Sequence, residues 1–168
     1  QVHLHHITDR AWPRQDLLAA QLNHELGAYL LSTGEYEAAS AIFEQTMSVL
    51  EAVVGIQHAS TARCLNNLGC TLKSMGAYEN AHMAYEKALS IREDLLGPDH
   101  QDTAESSLDL SILLYELAKY EEAWAFAERA SLIWEKRFGP EHPKTARSLV
   151  TLGVLQYAQG NYDQALSI

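Results

Sequence analysis

The sequence predicts an all-α superhelix, a solenoid of antiparallel helix pairs, on three observations. A shift of 42 residues superposes small, aromatic and turn residues along the chain. Within each period apolar side chains recur at three- and four-residue steps, the spacing of an amphipathic helix. Helix breakers are scarce, with 4 Pro and 9 Gly in 168 residues, while 47% of residues are hydrophobic, enough to bury a core.

The repeat is built from a small set of aligned positions. Gly34, Gly76 and Gly160 align, with Ala118 in the third period, and Tyr36, Tyr78, Tyr120 and Tyr162 follow two residues later. Ala39, Ala81, Ala123 and Ala165 come next. Upstream, Leu26, Leu68, Leu110 and Leu152 are each followed by a small residue: Gly27, Gly69, Ser111 and Gly153. The small residue and the Ala let two antiparallel helices approach closely, and the turn Gly supplies the left-handed backbone that ends a helix. Between periods, Gly55-Ile56-Gln57-His58, Gly97-Pro98-Asp99-His100 and Gly139-Pro140-Glu141-His142 mark equivalent loops, and Pro143 suits a first helical turn.

First helices are therefore expected near 15–32, 59–74, 101–117 and 143–158, and second helices near 36–53, 78–95, 120–137 and from 162 onward. The array occupies 15–168, with repeats at about 17–58, 59–100, 101–142 and 143–168. Residues 1–14 read as a preceding helix or linker. In the second period Ala81, Tyr85, Ala88 and Ile91 form the packed face, and Glu79, Glu86, Lys87, Arg92 and Glu93 are assigned to solvent.

Ala62 to Gly69, then Gly76-Ala77-Tyr78-Glu79-Asn80-Ala81, then Tyr85 to Glu93 and Leu96 to His100 resemble the kinesin light chain type of tetratricopeptide repeat (TPR) over residues 17–168. The resemblance implies a scaffold that binds protein or peptide ligands, in a cytoplasmic setting. The same repeat also occurs C-terminal to signal-transducing NTPase domains, which leaves a sensor or oligomerisation module as the alternative. Ala118, Ala127 and Ser107 depart from the pattern in the third repeat.

Composition narrows the partners. The 22 acidic against 12 basic side chains give a net charge of −10, which opposes binding to phosphate backbones and anionic membranes. No apolar run is long enough to span a bilayer, and the start at Gln1 reads as the start of a fragment. Self-association through the C-terminal repeat is a further expectation, because the last helix stops short.

Chemistry of the catalytic kind finds little footing. His58, His100 and His142 recur with the repeat and read as scaffold, while His3, His5 and His6 cluster at the N-terminus without the convergence a metal needs. Cys64 and Cys70 read as small helix residues, six positions apart and pointing apart, with no base placed to activate either. No phosphate-binding loop is present. The expectation is no enzymatic activity, no cofactor and no metal.

First helices of such arrays line a concave groove, and mapping from the aligned small residues gives its lining. The first repeat offers Gln21, His24, Ala28 and Leu31, and the second Arg63, Asn66, Cys70 and Lys73. The third offers Glu105, Leu108, Ile112, Tyr115 and Glu116, and the fourth Arg147, Val150, Val154 and Tyr157. Leu108, Ile112, Tyr115, Val150, Val154 and Tyr157 form an apolar patch beside a polar strip of Arg63, Asn66 and Lys73. The alternative for the Leu, Ile and Val positions is packing between repeats. Chaperone-tail recognition would need a carboxylate clamp of cations and amides, and the matching positions hold His24, Ala28, Asn67, Glu105 and Asp109, of which Asn67 alone agrees. The candidate peptide-binding set is Arg63, Asn66, Asn67, Lys73, Ile112, Tyr115, Arg147 and Tyr157.

Overall fold

The computed structural model describes residues 2–160, with side chains from Asp16 onward. Seven helices follow in order: α1 Val2–Thr33, α2 Tyr36–Val53, α3 Ala59–Ser74, α4 Tyr78–Leu96, α5 Gln101–Glu116, α6 Tyr120–Phe138 and α7 Pro143–Ala158. Beyond α1, each end lies within one residue of the sequence expectation. Residues expected in an eighth helix, including Tyr162 and Ala165, lie outside the described residues, as do the side chains of His3, His5 and His6. The first helix differs at its start: it runs as one helix from Val2 rather than from about residue 15.

The loops explain the recurring histidines. His58, His100 and His142 each cap the following helix, with Nδ1 accepting from the backbone N–H of Ser60, Asp102 and Lys144 at 3.1, 3.2 and 3.2 Å. Thr61, Thr103 and Thr145 each donate a hydroxyl to the carbonyl of Gly55, Gly97 and Gly139 at 2.9 Å. Each inter-repeat loop is thus held by one imidazole and one hydroxyl from the helix it opens. The turn within the third repeat uses Ala118 at φ 57, where a Cβ is strained, in the place of the aligned glycines.

Packing is serial. One buried cluster joins Phe43, Met47 and Leu50 of α2 to Cys64 and Leu65 of α3 and Ile91 of α4. A second joins Tyr85 and Leu89 to Leu108, Leu110 and Leu113 of α5, Trp134 of α6 and Leu155 of α7. Each helix meets its neighbours in sequence, so stability is carried by adjacent pairs. Successive first helices (α1, α3, α5, α7) approach one another with Cα atoms within 8 Å, and successive second helices do not. That asymmetry puts the first helices on the inner side of the array's curve.

Candidate functional site

The inner face is crossed by a polar ladder, one rung between each pair of first helices. The Asn67 amide nitrogen of α3 lies 3.1 Å from His24 Nε2 of α1. Asn66 Nδ2 donates to Asp109 Oδ2 of α5 at 2.8 Å, and Arg147 Nη2 of α7 reaches Asp109 Oδ1 at 3.3 Å. Ser106 donates to Asn66 Oδ1 at 2.8 Å and accepts from Arg92 Nη1 at 2.9 Å. Arg92 also donates to the Asp102 carbonyl at 2.6 Å. Arg92 is therefore buried and clamps α4 to α5, a correction to its assignment to the solvent face. Burial also lowers its proton affinity.

Three residues of the expected groove lining, His24, Asn66 and Leu108, are buried and leave it for the scaffold. Asn66 is buried with both ends of its amide engaged, so it is not presented to a ligand. Leu108 is fully buried in the second core cluster and packs between repeats. The physical reason is shared: the neighbouring first helix covers this position in each of the three repeats. At the equivalent place on α7, Val150 is exposed, as are Val154 and Tyr157.

The remaining candidates are accessible. Arg63 is exposed and Lys73 half-buried, and neither forms an ion pair or hydrogen bond among the described residues. Arg63 opens a cleft of about 280 Å³ with Ala59, Ser60, Arg92, Leu95, Leu96 and Asp102. Ile112 and Tyr115 are half-buried against the core, with the Tyr115 ring 5.8 Å from that of Tyr120. Asn67 is half-buried with its amide oxygen free among the described residues, and Arg147 is exposed. Arg63, Lys73 and Asn67 of α3, Ile112 and Tyr115 of α5, and Arg147 and Tyr157 of α7 thus follow one another along the inner helices. The sequence reading missed Asp109 as the ladder's centre; its signal was a carboxylate on a first helix, at a position shared with Glu25, Asn67 and Thr151.

The thiols are not poised for chemistry. Burial pushes the Cys64 thiol up to about 12, the charge of Arg63 offsetting little, and burial likewise raises Cys70, which takes a hydrogen bond from the Tyr85 hydroxyl at 3.1 Å. Among the described residues no three His, Cys, Asp or Glu side chains converge as metal ligands, and no helix is long and apolar enough to cross a membrane.

His24 gives the site a pH dependence. Its imidazole is buried edge-on to Phe43, its Nε2 accepts from Asn67, and its Nδ1 lies 3.6 Å from Glu25 Oε1, beyond hydrogen-bond distance. Burial first, and the charge of Arg63 second, lower its pKa from the ordinary 6.5, with Glu25 opposing. Below 6.5 the unfolded chain takes a proton that the folded chain refuses, so this contribution to stability is complete above 6.5 and is lost as pH falls beneath it. Thermal melts between neutral and mildly acidic pH should show a smaller loss for His24→Gln than for the parent. An equal loss in both proteins would remove His24 from the account.

With this geometry in place, the family is decided by the match of the tetratricopeptide repeat model to residues 18–94, 78–131 and 119–168. The chain belongs to the tetratricopeptide repeat family. Similar solved structures include BtubC (BKLC) from P. vanneervenii, at TM-score 0.83 and 21% identity, covering 90% of this chain and 61% of that one. A Podosopora anserina putative kinesin light chain with nearly identical TPR-like repeats follows at TM-score 0.80 and 21% identity, covering 88% and 70%. A Rap protein complexed with competence and sporulation factor matches at TM-score 0.77 and 15% identity, covering 89% and 40%. No match was found among curated proteins. The chain thus spans about three fifths of the length of BtubC. In fold the array is like these kinesin light chain-like TPR proteins, and its tetratricopeptide repeats support a protein–protein interaction scaffold.

Proposed function

We propose that this TPR array binds a segment of a partner protein along the inner face of its first helices. Ile112 and Tyr115 seat an apolar anchor, Arg63 and Lys73 meet polar or acidic groups beside it, and the Asn67 amide oxygen accepts from the segment's backbone. Arg147 and Tyr157 continue the surface onto α7. The observation that carries this reading is the placement along one face of two cations lacking ion pairs among the described residues and a half-buried tyrosine. That a Rap protein of the same fold was solved complexed with competence and sporulation factor supports a ligand-binding role for such an array.

The test is calorimetric titration of a partner segment captured with the whole array. Tyr115→Ala should cost on the order of 1–3 kcal/mol of binding at any salt concentration, as loss of a desolvated aromatic contact does. Lys73→Ala should cost less, and its effect should fade as salt screens a charge that is only half-buried. Parent-like binding by both variants, with binding abolished by Lys136→Glu on the second-helix side, would move the interface to the outer face.

A further inference from the structure

Arg92 is a buried charge without a counter-ion. Its side chain is nine-tenths buried, and it forms no ion pair among the described residues. Buried charges in folded proteins are ordinarily paired, because removing one from water costs more than neutral hydrogen bonds return. Here the guanidinium is held by one nitrogen: Nη1 donates to the Asp102 carbonyl at 2.6 Å and to the Ser106 hydroxyl at 2.9 Å, both neutral oxygens. Nε and Nη2 have no acceptor among the described residues, and neither is sealed from solvent. Packing does not ask for arginine at this place. One period earlier and one later stand Leu50 and Trp134, both buried, which fill the equivalent junction with apolar side chains.

The open edge lies in the cleft of about 280 Å³ between the start of α3, the end of α4 and the start of α5, which Arg63 and Arg92 both line. Arg63 is exposed, has no ion pair among the described residues, and its charge bears on Arg92. Its equivalents are Gln21, Glu105 and Arg147, and Arg147 is paired with Asp109. Carboxylates stand nearby without filling the cleft. Asp102 turns its own to 3.8 Å from His100 Nδ1, Glu105 acts on Arg92 only through space, and Asp109 is engaged by Asn66 and Arg147. With two guanidiniums set against the carboxylates of Asp102 and Glu105, the cleft admits a single negative charge more readily than a double one.

We propose that this cleft is a carboxylate-binding site, in which the two oxygens of a carboxylate accept from Arg92 Nε and Nη2 side by side and Arg63 closes over them. The Nε–Nη2 edge of a guanidinium matches the spacing of carboxylate oxygens, a planar two-bond contact that an ammonium cannot make. The source is an acidic side chain of a bound segment or the end of its chain. This deepens the reading of the inner face and rests on it for the segment that delivers the carboxylate, while the site itself is separate from the apolar anchor at Ile112 and Tyr115.

Titration of the whole chain with N-acetylglutamate amide, which carries a side-chain carboxylate, and with acetyl-glycylglycine, which carries a terminal one, tests the site in proton–nitrogen correlation spectra. The arginine Nε–H resonances report on it directly. That of Arg92 should move downfield and saturate, with a dissociation constant on the order of millimolar for at least one probe, and the tighter of the two names the source. The uncharged N-acetylglutamine amide should leave it in place. Arg63→Gln should weaken binding several-fold, whereas Lys87→Gln, which removes an exposed charge elsewhere on α4, should bind as the parent does. Arg92→Leu, which copies Leu50, should keep its helical dichroism and lose binding. The proposal is overturned if neither carboxylate gives a saturable shift, if the glutamine probe shifts the resonance equally, or if inorganic phosphate binds more tightly than both carboxylates. Parent-like binding by Arg92→Leu, or equal weakening by Arg63→Gln and Lys87→Gln, overturns it as well. Failure here leaves the cost of Tyr115→Ala for a captured segment untouched, and a segment indifferent to Tyr115 leaves this titration untouched, so the two readings fall separately.

Discussion

Gly69→Leu is expected to destabilise the array by about 3 kcal/mol, lowering its melting temperature by about 10 °C. A Cβ at Gly69 would stand 2.8 Å from two ring atoms of Tyr85. That ring cannot retreat, because it is fully buried and its hydroxyl is tied to Cys70. The repeats contain their own control. A Cβ at Gly27 would stand 2.7 Å from the Phe43 ring, whereas the third repeat has Ser111 opposite Ala127. Glycine stands where the facing residue is aromatic, and a side chain is admitted where it is alanine. Ser111 even uses the space to donate to the Ala123 carbonyl at 2.7 Å. In a Tyr85→Ala background the change at Gly69 should therefore cost far less, a coupling that a double-mutant cycle reads directly. Glu86→Ala, which removes one exposed (i, i+4) contact to His82, should stay within about 0.5 kcal/mol of the parent. Additive costs at Gly69 and Tyr85, or a neutral Gly69→Leu, would mean that the helices do not meet at this glycine.

The same reasoning shows why the fold was legible and the site less so. Period, small residues, aromatics and loop glycines are local signals, repeated often enough that helix ends from α2 onward fall within one residue of expectation. His58, His100 and His142 were readable as scaffold from their recurrence, and the structure gives the reason in three equivalent caps. What makes a first-helix residue available to a ligand is decided elsewhere in the chain. Asn66 reads as an exposed amide until α5, 43 positions away, brings Asp109 and Ser106 against it. Arg92 sits among charged neighbours in sequence, yet the first turn of α5 encloses it. Leu18, Leu22, Leu26 and Tyr29 look like core by spacing and are exposed, because that face is buried only by a preceding second helix. Periodicity gives the direction of a side chain, and the neighbouring repeat gives its burial.

The second large effect is expected at Asp109, whose carboxylate holds three helices together from one position. Asp109→Ala should cost about 2 kcal/mol of stability, and nearly all of that should come from one side of the ladder. Asn66 is buried, so losing its acceptor leaves an amide N–H without a partner and without water. Arg147 is about half exposed, so its guanidinium returns to solvent and its ion pair was worth little to begin with. The prediction is therefore an asymmetry: Arg147→Ala should lower stability by at most about 0.5 kcal/mol while Asp109→Ala lowers it several times more. Asp109→Asn should fall between them, since its remaining oxygen can still accept from Asn66 Nδ2. Denaturant unfolding of the three variants measures this order. Equal losses for Arg147→Ala and Asp109→Ala would assign the energy to the exposed ion pair instead. The order also bears on recognition, because the rung between Asn66 and Asp109 fixes α3 against α5, and with them the separation of Arg63 from Tyr115. A ladder whose energy lies in its buried half keeps that separation at high salt, where an array held by exposed ion pairs would loosen.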